Sequence, residues 1–341
     1  MGYINSVVYE AKEGKRPNTR EAVFRFILDT DIDKMNNAYV GKKRQSCKIC
    51  NKTGNYGSWI VKEMFVGKRD EFIYFECSYC QTLQIENFPK NINEYYAHDY
   101  YSYKKPKIES LRSGVAKDER MILDVGCGSG QWLCMLASLG FVNLFGCDPF
   151  LPNGDIIYPN GVKIYKKQIH DMDGQYDIIR LYDSFEHMGD PHDVFVTLNR
   201  LLKPSQGYYY IDEPRIEMKI PIYPNIAWDM YGVFWYQIDA PRHFFLYSIK
   251  SIKLLATQYG FDVSSISYQK AGCPLYMNKQ YQNDISLINH NLGIADSNAF
   301  GFGNMDMTND YFNLLSKLAI LTGTSDTIAF NLTRENDYDK I

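Results

Sequence analysis

The sequence predicts an α/β protein, with a doubly wound sheet preceded by a small four-cysteine module. Three observations carry this. Residues Met121-Ile122-Leu123-Asp124-Val125-Gly126-Cys127-Gly128-Ser129-Gly130 read as an apolar strand running into a glycine turn. A helix-like segment, Gln131 to Leu139, comes at once after it. Upstream, Cys47 and Cys50 form one C-x-x-C pair and Cys77 and Cys80 a second. Strand, glycine turn and helix in succession bring backbone N–H groups up to a ligand, because glycine permits the turn and leaves no side chain in the way.

The spacing in the turn narrows the ligand. A dinucleotide fingerprint from Gly126 needs a small residue at position 131, where Gln131 stands; from Gly128 it fails at Leu133. No Gly-Lys-Ser/Thr comes next, so the turn is not a Walker phosphate loop. Asp124 precedes the glycines, and a carboxylate there suits a ligand with a positive end better than a pyrophosphate.

These residues resemble class I S-adenosylmethionine (SAM) dependent methyltransferases. Leu123 to Gly130 is similar to their first motif. Leu144-Phe145-Gly146-Cys147-Asp148 is similar to their second strand, ending in an acid 20 residues beyond Gly128, the separation expected of a ribose-binding carboxylate. Tyr176-Asp177-Ile178-Ile179, then Ser184-Phe185-Glu186-His187-Met188, resemble the fourth strand and the segment after it. Leu202-Lys203-Pro204 resembles the turn before strand five, although Ser205-Gln206-Gly207 keeps only one of that turn's glycines. The resemblance covers residues 119–270. It implies a Rossmann-like seven-stranded sheet whose last strand is antiparallel, with SAM as cofactor. It further implies that Asp124, Gly126, Cys127, Gly128 and Gly130 hold the amino-acid and ribose end of SAM, and that Asp148, followed by Pro149, holds the ribose hydroxyls. Gln168 to Asp171 falls where the family contacts adenine, and Ser184 opens the segment after strand four.

The elements are expected in this order. Residues 1–40 form an extension in which Asn18-Thr19-Arg20-Glu21 resembles a capping box and Phe24, Leu28 and Met35 recur at helical spacing. Residues 41–90 form a zinc-ribbon-like module: two knuckles offer four thiolates to a tetrahedral zinc, with Glu63-Met64-Phe65-Val66 and Phe72-Ile73-Tyr74-Phe75 as strands between them. Disulfides would need an oxidising compartment, and a redox C-x-x-C is usually single, so structural zinc is the expectation. Residues 91–118 are a tyrosine- and lysine-rich linker. The methyltransferase domain, 119–341, is expected to contain strands at 121–125, 143–147, 161–165, 176–182, 207–213, 262–269 and 327–333. Helices are expected at 131–139, from Asp190-Pro191 to about Leu202, and at 249–258. Residues 274–325 are an insertion that covers the substrate or mediates a homo-oligomer.

Composition bounds the function. The 341 residues have a net charge of −3, which argues against a dedicated nucleic-acid binder. Residues 41–89 carry eight Lys or Arg against five Asp or Glu, a mild excess typical of a solvated face. No apolar run approaches the ~20 residues needed to span a bilayer, and a cytoplasmic enzyme is the expectation.

Methyl transfer from SAM needs positioning above all, because the sulfonium already activates the methyl group. A nucleophile that starts protonated also needs a base. His187 lies at the carboxyl end of strand four, where ligands bind in open α/β folds. His243 lies in Arg242-His243-Phe244-Phe245-Leu246-Tyr247-Ser248, which resembles a segment of sugar methyltransferases. In their C-methylating branch a Glu-His pair stands there and the His is the base; here Arg242 replaces the Glu. Arg242 is then a candidate for an anionic group on the substrate, and His243 reads either as base or as structural hydrogen-bonder. Tyr100 of the linker and Tyr236 of the aromatic 222–245 loop are candidates to line the acceptor pocket. The leading expectation is methyl transfer to a small-molecule acceptor, a nucleotide sugar or other carbohydrate. The alternatives are an RNA or protein methyltransferase that uses the ribbon for recognition, and a non-catalytic SAM-binding scaffold.

Overall fold

The computed structural model describes residues 37–96, 101–205, 213–269, 274–289, 293–294 and 325–335. Most of the expected N-terminal extension, Tyr100, and much of 274–325 lie outside the described residues.

The four-cysteine module is an antiparallel sheet: β1 (Tyr39–Ser46), β2 (Thr53–Lys62), β3 (Glu71–Glu76) and β4 (Leu83–Ile85), paired in that order. Each C-x-x-C pair sits in a turn between strands. Phe72 to Phe75 falls in β3 as expected, but Glu63 to Val66 is not a strand. The buried Glu63 carboxylate instead accepts N–H bonds from Val66, Gly67 and Lys68 at 2.6–2.8 Å, and so holds a tight turn where β2 ends.

The second sheet carries the expected seven strands. β5 (Asp118–Val125), β6 (Phe141–Cys147), β8 (Lys163–Tyr165), β9 (Ile178–Tyr182) and β10 (Arg215–Pro221) run parallel. The two-residue β7 (Ile156–Ile157) adds an antiparallel edge to β8. The spatial order is β12-β15-β10-β9-β5-β6-β8-β7. The late strand β15 (Thr327–Arg334) lies between β10 and β12 (Phe261–Tyr268), antiparallel to both. Strand order therefore reverses at β5, opening a crevice beyond the carboxyl ends of β5 and β6, the usual ligand site of such sheets.

The strand expected at 207–213 lies largely outside the described residues, and the fifth parallel strand described, β10, begins at Arg215. Alternate residues Ile216, Met218 and Ile220 are fully buried, so the period-2 pattern that fixes a strand's face occurs here. Helices α1 (Gln131–Ser138), α2 (Pro191–Leu201) and α4 (Ile249–Gln258) fall where expected. Asp190 caps α2 by accepting from His192 N and Asp193 N at 3.1 Å, with Pro191 at the first helical position. The aromatic loop after β10 contains the short helix α3 (Ile226–Tyr231) and two 3₁₀ turns. In the insertion, α5 (Pro274–Gln282) precedes the short paired segments β13 (Ile288–Asn289) and β14 (Gly293–Ile294).

The two sheets are joined by backbone pairing. β11 (Phe245–Leu246), from the core, pairs antiparallel with Gln84 and Leu83 of β4 as a fifth strand of the ribbon sheet. Ser248, which caps α4, also donates its hydroxyl to the Cys80 carbonyl. Phe245, Leu246 and Tyr247 are fully buried. Among the described residues no helix is long and apolar enough to cross a membrane.

Candidate active site

The glycine turn closes the carboxyl end of β5. Gly126 and Gly128 both adopt left-handed φ, 75° and 54°. A Cβ on Gly128 would lie 2.4 Å from the Ser102 carbonyl oxygen, and one on Gly126 2.6 Å from Ser184 Cβ. Both conformation and space therefore require glycine. Ser102 belongs to the linker, and its carbonyl accepts from Ser129 N at 2.9 Å while the Lys104 carbonyl accepts from Ser129 Oγ at 2.6 Å. The linker thus lies across the turn.

Asp148, just beyond β6, fixes the other side of the turn. Its Oδ2 accepts from Gly128 N at 3.0 Å and its Oδ1 from Phe150 N at 2.8 Å. Burial raises its carboxyl above the ordinary range, and the two N–H bonds oppose that shift. Asp124 is 3% exposed. Burial pushes its carboxyl up to about 6, against the pull of Arg180, whose Nη1 donates to Asp124 Oδ1 at 3.0 Å. The Arg180 guanidinium lies over the rings of Trp132 and Tyr182, at 4.2 and 3.8 Å.

These groups open into a cavity of about 1030 Å³. Asp124, Gly126, Cys127, Asp148, Pro149 and Ser184 line it, as do Arg180 and Trp132. Gly128 and Gly130 shape the turn without lining it. Asp171 ends a 3₁₀ turn whose Ile169 and His170 line the cavity, while Asp171 itself does not.

His187 lines the cavity next to the aromatic pair Tyr96 and Phe150, whose rings stack at 4.9 Å. His243 lies behind it, outside the lining, with the two imidazole centroids 4.7 Å apart. Each Nδ1 meets a backbone carbonyl: His187 that of Arg242 at 2.9 Å, His243 that of Gln237 at 2.7 Å. A carbonyl only accepts, so both Nδ1 atoms carry the hydrogen and both Nε2 atoms keep a lone pair. Burial, reinforced by neighbouring positive charge, drives both imidazoles down to about 3. Both are uncharged at neutral pH.

Arg242 is 3% exposed and does not line the cavity. It pairs with Asp239 and lies over the rings of Phe65 and Tyr96, at 3.4 and 5.5 Å. Tyr236 is half-buried and also outside the lining. Its N–H donates to Asn278 Oδ1 at 2.8 Å and its hydroxyl accepts from Gln237 at 2.9 Å. Two cavity residues, Arg180 and Trp132, carry no motif spacing in the sequence, and the buried Glu186 lies within the Ser184–Met188 segment with no spacing that ties it to His243. The one signal for Arg180 is a cation inside an otherwise apolar strand.

At the far end of the ribbon the four cysteine sulfurs lie within 4.8 Å of one another. Cys47 and Cys80 are 3.5 Å apart, Cys50 and Cys77 3.6 Å. Four thiolates at about 2.3 Å from a zinc stand about 3.8 Å apart, so the donor set fits that ion. The two knuckles share one backbone pattern. Asn51 N bonds to Cys47 O at 3.0 Å and Gln81 N to Cys77 O at 2.7 Å, and Asn51 and Gln81 both have positive φ. Gln84 Nε2 donates to Cys47 Sγ at 3.1 Å, the outer contact expected around a ligating thiolate.

The model of a methyltransferase domain matches residues 96–266, half of the chain, and the chain belongs to that family. It is a SAM-dependent methyltransferase. No curated protein sequence matches it significantly. Solved structures with a similar fold include one titled as a complex between the Haloferax volcanii Trm112 methyltransferase activator and a putative methyltransferase, at 15% identity and TM-score 0.41, covering 66% of this chain and 86% of that one. The cyclopropane synthase MmaA2 from Mycobacterium tuberculosis matches at 15% identity and TM-score 0.40, covering 65% and 80%. Geranyl diphosphate C-methyltransferase from Streptomyces coelicolor A3(2) matches at 14% identity and TM-score 0.40, covering 65% and 74%.

Proposed function

We propose that this methyltransferase acts on a small-molecule acceptor, a nucleotide sugar or other saccharide, with SAM bound across the glycine turn. The observation that carries this reading is the continuity of one cavity from Asp124 and Asp148 to His187. SAM's cationic amino group meets Asp124, its ribose hydroxyls meet Asp148, and its methyl group points toward His187. The acceptor enters at His187 beside the stacked Tyr96 and Phe150 rings, which offer an apolar face to a sugar ring. The net charge of −3 favours a small acceptor over RNA.

SAM supplies an activated methyl group, and the chain's residues hold and orient the two reactants. Ser184 supports the turn at Gly126, and Arg180 keeps Asp124 in place. The Nε2 lone pair of His187 provides the polar end of the acceptor site, with His243 packed behind it. The four ribbon cysteines hold a structural zinc, which fixes the knuckles and through β4 and β11 the segment bearing His243.

Native mass spectrometry of the full chain, with and without SAM, tests the cofactor and zinc. The expected result is one SAM adduct, lost in Asp148→Ala, and zinc on the ribbon. Zinc-loaded protein that never binds SAM would overturn the functional reading. Turnover would then be screened with nucleotide sugars, scoring formation of S-adenosylhomocysteine.

A further inference from the structure

Glu186, His187 and His243 each offer one ligand atom, and these three atoms lie within 4.8 Å of one another. The bonds from each Nδ1 to a backbone carbonyl leave both Nε2 atoms as acceptors. Glu186 Oε1 stands 3.9 Å from His243 Nε2, and Glu186 Oε2, in a side chain 1% exposed, has no hydrogen-bond partner. Two imidazole lone pairs and a buried, unpartnered carboxyl oxygen are therefore gathered in one place. That arrangement is costly unless a cation fills it. Ligands about 2.0–2.2 Å from one metal ion stand about 3–4 Å apart, so small side-chain rotations suffice. The second shell is also present, since a ligating histidine characteristically donates its other ring N–H to a carbonyl or carboxylate.

The surrounding charges permit a dication. Arg242 is paired with Asp239, whose Oδ2 lies 3.6 Å from His243 Nε2. Asp183 and Lys219, on the other side of Glu186, pair at 2.7 Å. Arg242 and Asp239 offset one another, as do Lys219 and Asp183, so the Glu186 carboxyl is the group left for a cation to balance.

We propose that Glu186, His187 and His243 form a second metal site, separate from the ribbon cysteines, that takes a divalent transition-metal ion at the acceptor end of the cavity. Two imidazoles and one carboxylate suit Zn²⁺, Mn²⁺ or Fe²⁺ better than Mg²⁺ or Ca²⁺. The remaining coordination positions take oxygens of the acceptor, so the favoured acceptor carries neighbouring hydroxyls. A hydroxyl bound to the ion ionises more readily. The acceptor role rests on the methyltransferase reading; the metal site does not.

The test uses full-length protein with its ribbon zinc-loaded. Mn²⁺, which thiolates disfavour, is titrated in and followed by electron paramagnetic resonance, and zinc per chain is counted by native mass spectrometry in zinc excess. The expected result is one Mn²⁺ site and two zincs per chain in the wild type. Glu186→Gln and His187→Asn should weaken Mn²⁺ at least ~10-fold and retain one zinc. Asparagine at 187 keeps an amide donor for the Arg242 carbonyl, so it serves if Glu186→Gln does not fold, as judged by circular dichroism. A wild type that binds one zinc and no Mn²⁺, or folded variants that bind Mn²⁺ as the wild type does, would overturn the proposal. SAM affinity is measured on the same samples. Metal binding without SAM binding sinks the methyltransferase reading alone, and the reverse sinks the metal site alone.

Discussion

Tyr74, in the ribbon, donates its hydroxyl hydrogen to the carbonyl oxygen of His243, in the core, at 2.8 Å. The tyrosine is fully buried. The bond therefore spans the two sheets at the residue behind His187, and ribbon integrity is coupled to the geometry of the acceptor site.

Tyr74→Phe tests that coupling. The variant leaves a buried carbonyl without this donor, which costs about 1–3 kcal/mol. Urea denaturation should show a lowered midpoint with an unchanged slope. SAM affinity should be unchanged, because Tyr74 is remote from the glycine turn, while turnover should fall.

Zinc removal should destabilise more than the ribbon. β4 pairs with β11, so loosening the knuckles exposes the Phe245–Leu246 edge. Stripping zinc with a strong chelator, or Cys77→Ser, should lower the thermal midpoint by on the order of 10 °C. If the midpoint does not change, zinc has no structural role here.

Asp148 anchors the cofactor side of the turn through two N–H bonds. Asp148→Ala should weaken SAM about 10- to 100-fold, the size of losing charge-assisted hydrogen bonds. Isothermal titration calorimetry measures this directly.

With Asp124 holding the cationic end of SAM as proposed, SAM affinity should depend on pH. Burial raises its carboxyl to about 6, and a cationic amino group binds the ionised form, so protons compete with the ligand. Affinity should be flat above about pH 7 and fall as pH drops through 6, approaching tenfold per unit. In Asp124→Asn the affinity should be lower and this pH dependence absent.

Arg180 tunes the same carboxyl. Arg180→Met removes the guanidinium 3.0 Å from Asp124 Oδ1, which should raise the Asp124 carboxyl and move the fall in affinity to higher pH. A pH profile identical to the wild type would remove Arg180 from the cofactor site.

Much of this is legible in the sequence, for identifiable reasons. The glycine turn, the acid at 148 and the four cysteines are local patterns that spacing reveals, whereas the doubly wound sheet follows from the family resemblance. Arg180 is not legible because its role comes from register: β5 and β9 pair Asp124 with Arg180, 56 residues apart. Glu186 sits in a family segment, and only the fold brings it to His243. The strand expected at 207–213 lies largely outside the described residues, and the alternation at Ile216, Met218 and Ile220 that marks β10 becomes plain only with their burial. The Glu63 run misleads in another way, since a buried carboxylate can turn a chain that side-chain polarity alone would extend.

The pairing of β11 with β4 bears on how this chain can be divided. By sequence, a cut near residue 118 separates a ribbon from a catalytic half. By hydrogen bonding it does not, because Phe245 and Leu246 belong to the ribbon's sheet while lying in the later half of the chain. A fragment starting at Asp118 would carry a raw apolar edge, an orphaned His243 carbonyl and no linker over its cofactor turn. The ribbon is therefore not an accessory that can be swapped or trimmed, and the smallest autonomous unit of this enzyme must begin upstream of its first C-x-x-C pair.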